Sequence, residues 1–248
     1  MKKLIYLMVV IAILGLIVSG CSIPLKSVVP TSEKGNPKPE LGAPAIERGV
    51  FVDHGYSSPP WYPPEDETDS YRLGPKLHWD SINLPIDVKV YSKDTLIGVF
   101  SAVLAALEEW EKYTPTSLYG SIAEDSTNPP PGAVLDGENT MSWGTIDGPG
   151  GIIGVCYYWY YANSKEMVEF DIVFDVEETW STVEATDTGA FDVQNIATHE
   201  AGHTLVLGDL HSPKDGALTM HAYTWLGDTV KRTLGSGDIL GVRAIYGE

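Results

Sequence analysis

The pattern His199-Glu200-Ala201-Gly202-His203, with Asp209 six residues further on, constrains this chain more than any other stretch of it. On a helix, positions i and i+4 share one face. His199 and His203 can therefore present two imidazoles to one divalent ion, with Glu200 beside it as a base. A catalytic zinc needs three protein ligands and one open place, so a third donor is required. Asp209 and His211 are the nearby choices. A more distant glutamate is excluded by inspection, because the only one after His203 is Glu248. The run Phe191 to Thr198 has helical character and leads directly into the pattern. Its Val193, Ile196 and Ala197 keep helical spacing with Ala201 and Leu205. Gly208 can end that helix in a left-handed cap and turn the chain back, so that Asp209 or His211 reaches the same ion.

The pattern is that of zinc proteases, and the chain resembles a metzincin, within that clan a matrixin. Aligned without gaps, His199, Glu200 and His203 match the family pattern and Asp209 falls on the third-ligand position, where some prokaryotic members carry aspartate. The family's turn glycine is replaced by Val206. A turn shifted by two residues would make His211 the ligand instead. Leu218-Thr219-Met220 stands where the family has its methionine turn, which implies that Met220 underlies the zinc as a packed thioether. Gly237 to Gly247 is similar to the closing helix of the family. Leu96 to Lys112 reads independently as an amphipathic helix with the stripe Val99, Val103, Leu104, Leu107 and Trp110, and it occupies the place of the first helix.

Asp147-Gly148-Pro149-Gly150-Gly151 and Asp171 to Trp180 resemble the matrixin loop and strand that share a structural calcium. The resemblance implies Asp147, Asp175 and Glu178 as carboxylate ligands, with carbonyls from Gly148 and Gly150; hard oxygen donors around glycines suit calcium. A Gly-Pro turn beside a solvated acidic strand end is the simpler reading of the same residues. At the positions of the family's second, structural zinc stand Thr140, Ser142, Val155 and Val173, none of them a ligand, so a single zinc is expected. His54 and His78 lie outside the motif, and His221 is expected in a pocket wall.

The implied fold class is α+β: the metzincin fold, a twisted, mostly parallel mixed sheet backed by the active-site helix and a first long helix, with a C-terminal helix closing the lower half. Strand-like runs at Ile86–Tyr91, Asn139–Gly144, Ile152–Tyr160 and Val168–Phe174 agree with it. Gly151 to Tyr161 corresponds to the family's upper edge strand, expected to pair with an extended peptide substrate by strand addition. His221 to Thr233, with Tyr223 and Trp225, should line the pocket beyond the cut.

The amino terminus reads as an address. Met1-Lys2-Lys3 is basic, Leu4 to Val18 is apolar, and Val18-Ser19-Gly20-Cys21 resembles a lipobox. Residues 1–20 are thus expected to be a lipoprotein signal peptide and Cys21 its lipidation site, which puts the protein outside the cytoplasmic membrane, anchored by lipid or secreted. Residues 21–45, rich in Pro, Ser, Lys and Gly, read as a flexible tether. Residues 46–75 read as a pro-segment or an N-terminal flank, and 76–248 as the catalytic domain. With Cys21 lipidated, Cys156 has no disulfide partner and should be a buried thiol. A net charge of −18 disfavours nucleic acid and anionic headgroups, and one domain of ordinary size suits a monomer.

Together these residues imply a zinc endopeptidase in which Glu200 is the general base. Because an aspartate ligand brings more negative charge than a histidine, the pH optimum should lie above that of an Asp209→His variant. The competing reading is an inactive lipoprotein that keeps the scaffold as a binding or structural module. The intact Glu200 speaks against it and Val206 mildly for it.

Overall fold

The computed structural model describes residues 44–56, 68–92, 96–125, 132–182 and 189–248. The expected signal peptide, Cys21 and almost all of the expected tether lie outside them.

Seven strands form one mixed sheet. In chain order they are β1 (Ile46–Tyr56), β2 (Ile86–Tyr91), β3 (Tyr119–Asp125), β4 (Asn139–Gly144), β5 (Ile152–Tyr161), β6 (Met167–Asp175) and β9 (Tyr223–Trp225). Their spatial order is β3-β2-β4-β6-β5-β1-β9. Only β5 pairs antiparallel with its neighbours β6 and β1; every other pairing is parallel. A separate two-stranded ribbon joins β7 (Trp180–Ser181) to β8 (Phe191–Asp192). This is the expected mostly parallel sheet, with β6 buried along nearly its whole length, as a central strand covered on both faces must be.

Three helices pack on it: α1 (Val99–Glu111), α2 (Val193–Thr204) and α3 (Ser236–Tyr246). The stripe of α1 is buried at Val99, Val103, Leu107 and Trp110, joined by Ala102 and Ala106, while Leu104 is only half-buried. On α2 the apolar set Val193, Ile196, Ala197, Ala201 and Leu205 is entirely buried; each fully buried Val, Ile or Leu side chain contributes about 1.5–3 kcal/mol. The helix starts later than the sequence suggests. Phe191 and Asp192 belong to β8, and the Asp192 carboxylate caps the helix by accepting from Asn195 N at 2.8 Å.

Two expectations need correction. Gly151 to Tyr161 is not an edge, because β1 covers β5 along most of its length, from Ile46 opposite Tyr161 to His54 opposite Ile152. The helix cap is not made by Gly208 either. Val206 takes the left-handed conformation at φ 70°, with Leu207 N donating to Gly202 O and Val206 N to His203 O, both at 3.0 Å. That is a Schellman closure, normally built on glycine. A β-branched residue there carries strain of about 1–2 kcal/mol. The turn keeps its shape despite the substitution, since Val206 is itself buried and its carbonyl accepts from Gly74 N at 2.7 Å.

Candidate metal centre

Helix α2 is fixed to the rest of the core by its own carbonyls. Trp110 Nε1 donates to Thr198 O at 2.9 Å, Trp79 Nε1 to Thr204 O at 2.8 Å, and the Tyr119 hydroxyl reaches Ala201 O at 3.2 Å. These contacts orient the face that carries His199 and His203, both completely or almost completely buried. His199 Nδ1 lies 2.7 Å from Thr219 O, and His203 Nδ1 lies 2.9 Å from Leu207 O. A carbonyl can only accept, so each Nδ1 carries the hydrogen and each Nε2 is left as a lone pair.

Both lone pairs converge on Asp209. Its Oδ1 is 3.3 Å from His199 Nε2 and 3.4 Å from His203 Nε2. The ligand atoms of these three residues lie within 4.8 Å of one another, the only such group among the described residues. His211 is outside it: exposed, with its ring 6.2 Å from that of Tyr223. The tight Schellman turn at Val206 delivers Asp209, not His211, to the histidines. Without a cation the three acceptors would repel, and His199 Nε2 is buried without a hydrogen bond. Two imidazole nitrogens and one carboxylate oxygen are a donor set that suits zinc. Burial opposes ionisation of Asp209, yet its two histidine partners hold it well below the usual carboxylate range. Burial likewise opposes protonation of His203, but Asp209 outweighs it and raises that imidazole, whereas burial and then Lys231 lower His199.

Glu200 is fully buried, and neither carboxylate oxygen has a hydrogen-bond partner. Burial pushes it up to about 8. It points toward β5, where a Cβ on Gly154 would stand 2.6 Å from Oε1. A group at this position can accept a proton near neutrality and release it again.

The methionine turn lies beneath the histidines. The sulfur of Met220 packs on the helix at Gly202, where a Cβ would meet it at 2.3 Å. Asp238, in the first turn of α3, holds the turn in place: its carboxylate accepts from Thr219 N at 2.7 Å and Met220 N at 3.0 Å. Next to Met220, His221 is buried with both ring nitrogens unpartnered, and burial lowers it to about 4. Tyr223 and Trp225 lie on β9, which pairs with β1.

The carboxylates expected around calcium are drawn to the loop that follows β4. Asp175 Oδ2 accepts from Asp147 N at 3.3 Å, Glu178 Oε1 accepts from Gly150 N and Gly151 N, and Asp147 accepts from Ile152 N at 3.1 Å. Cys156 is buried, and burial raises its thiol well above the ordinary value.

Residues that the sequence reading passed over also face the centre. Phe51 of β1 stacks on His203 with centroids 4.1 Å apart and planes 1° from parallel. Asp53 is 2% exposed, and neither of its oxygens has a partner. Lys231 is buried with Nζ 3.3 Å from His199 Nδ1. The alternation of β1 could have flagged it as a strand, but its partners are about 100 or more positions away along the chain.

Comparison with known proteins gives the same picture. The family model of the matrixins matches residues 78–247. The chain is 30% identical over 177 residues to matrix metalloproteinase-27 of Tupaia belangeri, covering 68% of this chain and 30% of that protein. It is 29% identical over 171 residues to neutrophil collagenase of Homo sapiens, covering 68% of this chain and 33% of the relative. With stromelysin-1 of Mus musculus the identity is 31% over 150 residues, 60% of this chain and 28% of the relative. The chain thus spans about a third of the length of these relatives or less.

Proposed function

The chain belongs to the matrixin family, and on that premise we propose that it is a zinc-dependent endopeptidase cutting extended segments of proteins outside the cytoplasm. The observation that carries this reading is the meeting of His199, His203 and Asp209 around one point, with the unpartnered Glu200 beside it. Those three residues would hold the zinc. When bound there, the zinc polarises the scissile carbonyl and acidifies a water molecule.

The chain's own residues supply the rest. Glu200 takes the proton of the attacking water on its carboxylate and delivers it to the leaving amide nitrogen. Its burial raises the proton affinity of that carboxylate. The carbonyls of Thr219 and Leu207 fix the tautomers of His199 and His203. The backbone of β5, once free, offers a ladder for an extended peptide, and β9 with Tyr223 and Trp225 borders the same slot. Val206, the one departure that favoured a non-enzymatic module, still forms the turn and leaves Asp209 with the histidines.

The same proposal includes a calcium held by Asp147, Asp175 and Glu178 with the carbonyls of Gly148 and Gly150, a lipid anchor at Cys21, and a monomer whose partners are protein substrates. No helix among the described residues is long and apolar enough to cross a membrane.

The test is hydrolysis of casein by the zinc-loaded chain, alongside a Phe51→Ala, Asp53→Ala double variant because β1 covers the cleft, each with and without Glu200→Ala. Hydrolysis lost on Glu200→Ala supports the reading. Absence of any Glu200-dependent hydrolysis in both backgrounds overturns it in favour of the module.

A further inference from the structure

Two consecutive basic residues follow β9, and the fold treats them differently. Arg232 is paired: its Nε and Nη2 donate to the Asp192 carboxylate at 2.8 and 2.6 Å. Lys231 is 2% exposed and lies in a single 3-10 turn, Val230–Arg232. Its main chain is fastened on two sides. Lys231 N donates to Asn195 Oδ1 in the first turn of α2 at 2.7 Å, and Lys231 O accepts from the Thr219 hydroxyl of the methionine turn at 3.4 Å. The side chain is thereby directed at the metal centre, where Nζ comes to 3.3 Å from His199 Nδ1.

That contact does not satisfy the ammonium. His199 Nδ1 already carries the hydrogen that it donates to Thr219 O, so two donors face each other. Among the described residues no carboxylate stands within ion-pair distance of Lys231. Asp228, the buried acid of the same loop, is engaged by Val230 N at 3.1 Å and the Thr224 hydroxyl at 3.2 Å. A cation taken out of water without an anion is costly. A second polar group shares its surroundings. His221 is 1% exposed with both ring nitrogens unpartnered, and its ring lies 5.3 Å from that of Tyr223 on β9. Burial, and then the charge of Lys231, lower this imidazole to about 4, so it is neutral and offers one N–H. A buried ammonium and a buried N–H, both without acceptors, stand in the segment that borders the slot beyond the metal. The missing partner is an anion.

We propose that Lys231, with the N–H of His221, receives the side-chain carboxylate of the substrate residue that follows the cut bond, so that the enzyme cleaves before glutamate or aspartate. This rests on the zinc endopeptidase reading and names its substrate class. A carboxylate entering this pocket forms a charge-assisted hydrogen bond away from water. A pocket built around a polar group rejects a side chain that leaves the group unpaired. The preference is local to one position, because a net charge of −18 repels acidic peptides in general.

The test compares quenched fluorescent peptides that differ only in the residue after the cut: Glu, the isosteric neutral Gln, or Leu. They are offered to the zinc-loaded full chain and to its Phe51→Ala, Asp53→Ala form, each with Lys231 intact, Lys231→Met or Lys231→Arg. The expected kcat/KM for Glu exceeds that for Gln at least ten-fold. The ratio should fall within two-fold in Lys231→Met and survive in Lys231→Arg. Because it compares two substrates on one sample, unfolded protein cancels from it. A ratio below two with Lys231 intact overturns the proposal, as does an equal ratio in Lys231→Met; the first needs no variant to fold. Binding of the same peptides by fluorescence anisotropy, to the double variant carrying Glu200→Ala, separates the two readings. Ten-fold tighter binding of the Glu peptide, lost in Lys231→Met, keeps the pocket even where hydrolysis is nowhere seen and the enzyme reading falls. Hydrolysis that ignores the Glu-to-Gln exchange removes the pocket and keeps the enzyme.

Discussion

Replacing Gly154 with alanine tests the placing of Glu200 at nearly constant stability. The added methyl would stand 2.6 Å from Glu200 Oε1, 3.3 Å from Cδ and 3.6 Å from Cγ. Ordinary contact begins near 3.4 Å, so the carboxylate must yield by roughly 0.8 Å. The atom in the way is the far end of a flexible side chain, and an off-rotamer adjustment costs about 0.5–1.5 kcal/mol. Gly154 does not have a positive φ, so alanine regains about 0.4–1 kcal/mol by restricting the unfolded chain. The two effects nearly cancel, and the unfolding free energy should change by less than about 1 kcal/mol. Catalysis does not share this tolerance, because a misplacement of about 1 Å costs on the order of a hundred-fold. The assay is kcat/KM on an extended peptide, measured in the Asp53→Ala background with and without Gly154→Ala, together with zinc content and urea denaturation. The expected outcome is a drop of roughly a hundred-fold with zinc content and stability retained. A kcat/KM within two-fold of the parent would refute the positioning of Glu200 under β5.

Three further outcomes follow from the same geometry. Asp209→Ala should weaken zinc, measured by competition with a chelator, by more than the roughly 10–100-fold typical of outer-shell losses, while His211→Ala leaves it unchanged; the reverse order would reassign the third ligand. Asp192→Ala removes both the cap of α2 and the paired acceptor of Arg232, whose Nε and Nη2 lie at 2.8 and 2.6 Å. A loss of about 2–4 kcal/mol is expected in urea denaturation, from a cap worth about 0.5–2 and a broken buried hydrogen-bonded pair, and a loss below about 1 kcal/mol would contradict it. Glu169 is raised to about 7 by burial, against the amide hydrogen bonds from Asp136 and Gly137. Its folded pKa exceeds the unfolded 4.5, so the folded state holds the proton longer and stability falls as pH rises between these values, by up to about 3 kcal/mol. Glu169→Gln should flatten the difference between denaturation curves at pH 5 and pH 7.5, and an equally steep difference in the variant would locate the effect elsewhere.

The motif residues were legible because their geometry is local. His199, Glu200 and His203 are tied by the i, i+4 period of one helix, and Met220 by a family pattern of short span. Val206 could be read as a departure but not as a strained Schellman residue. Its φ of 70° is imposed by tertiary contacts at Gly74 that no local preference of valine predicts. Asp209 and His211 were both within reach along the chain, and the turn decided between them. The error about β5 has a different source. The pattern of β5 is that of a strand, but whether a strand lies at an edge depends on what pairs with it, and that partner was a segment read as pro-segment or flank.

The amino-acid order alone determined that two imidazoles share a helix face and that strands alternate with helices. Each follows from side-chain chemistry or from a period of a few residues. Only the tertiary structure decided which side chain joins the two imidazoles, and that the chain's own β1 lies along β5 with Asp53 paired to Gly154. The β1–β5 pairing joins positions about 100 residues apart, where register and burial, rather than local spacing, determine which atoms meet.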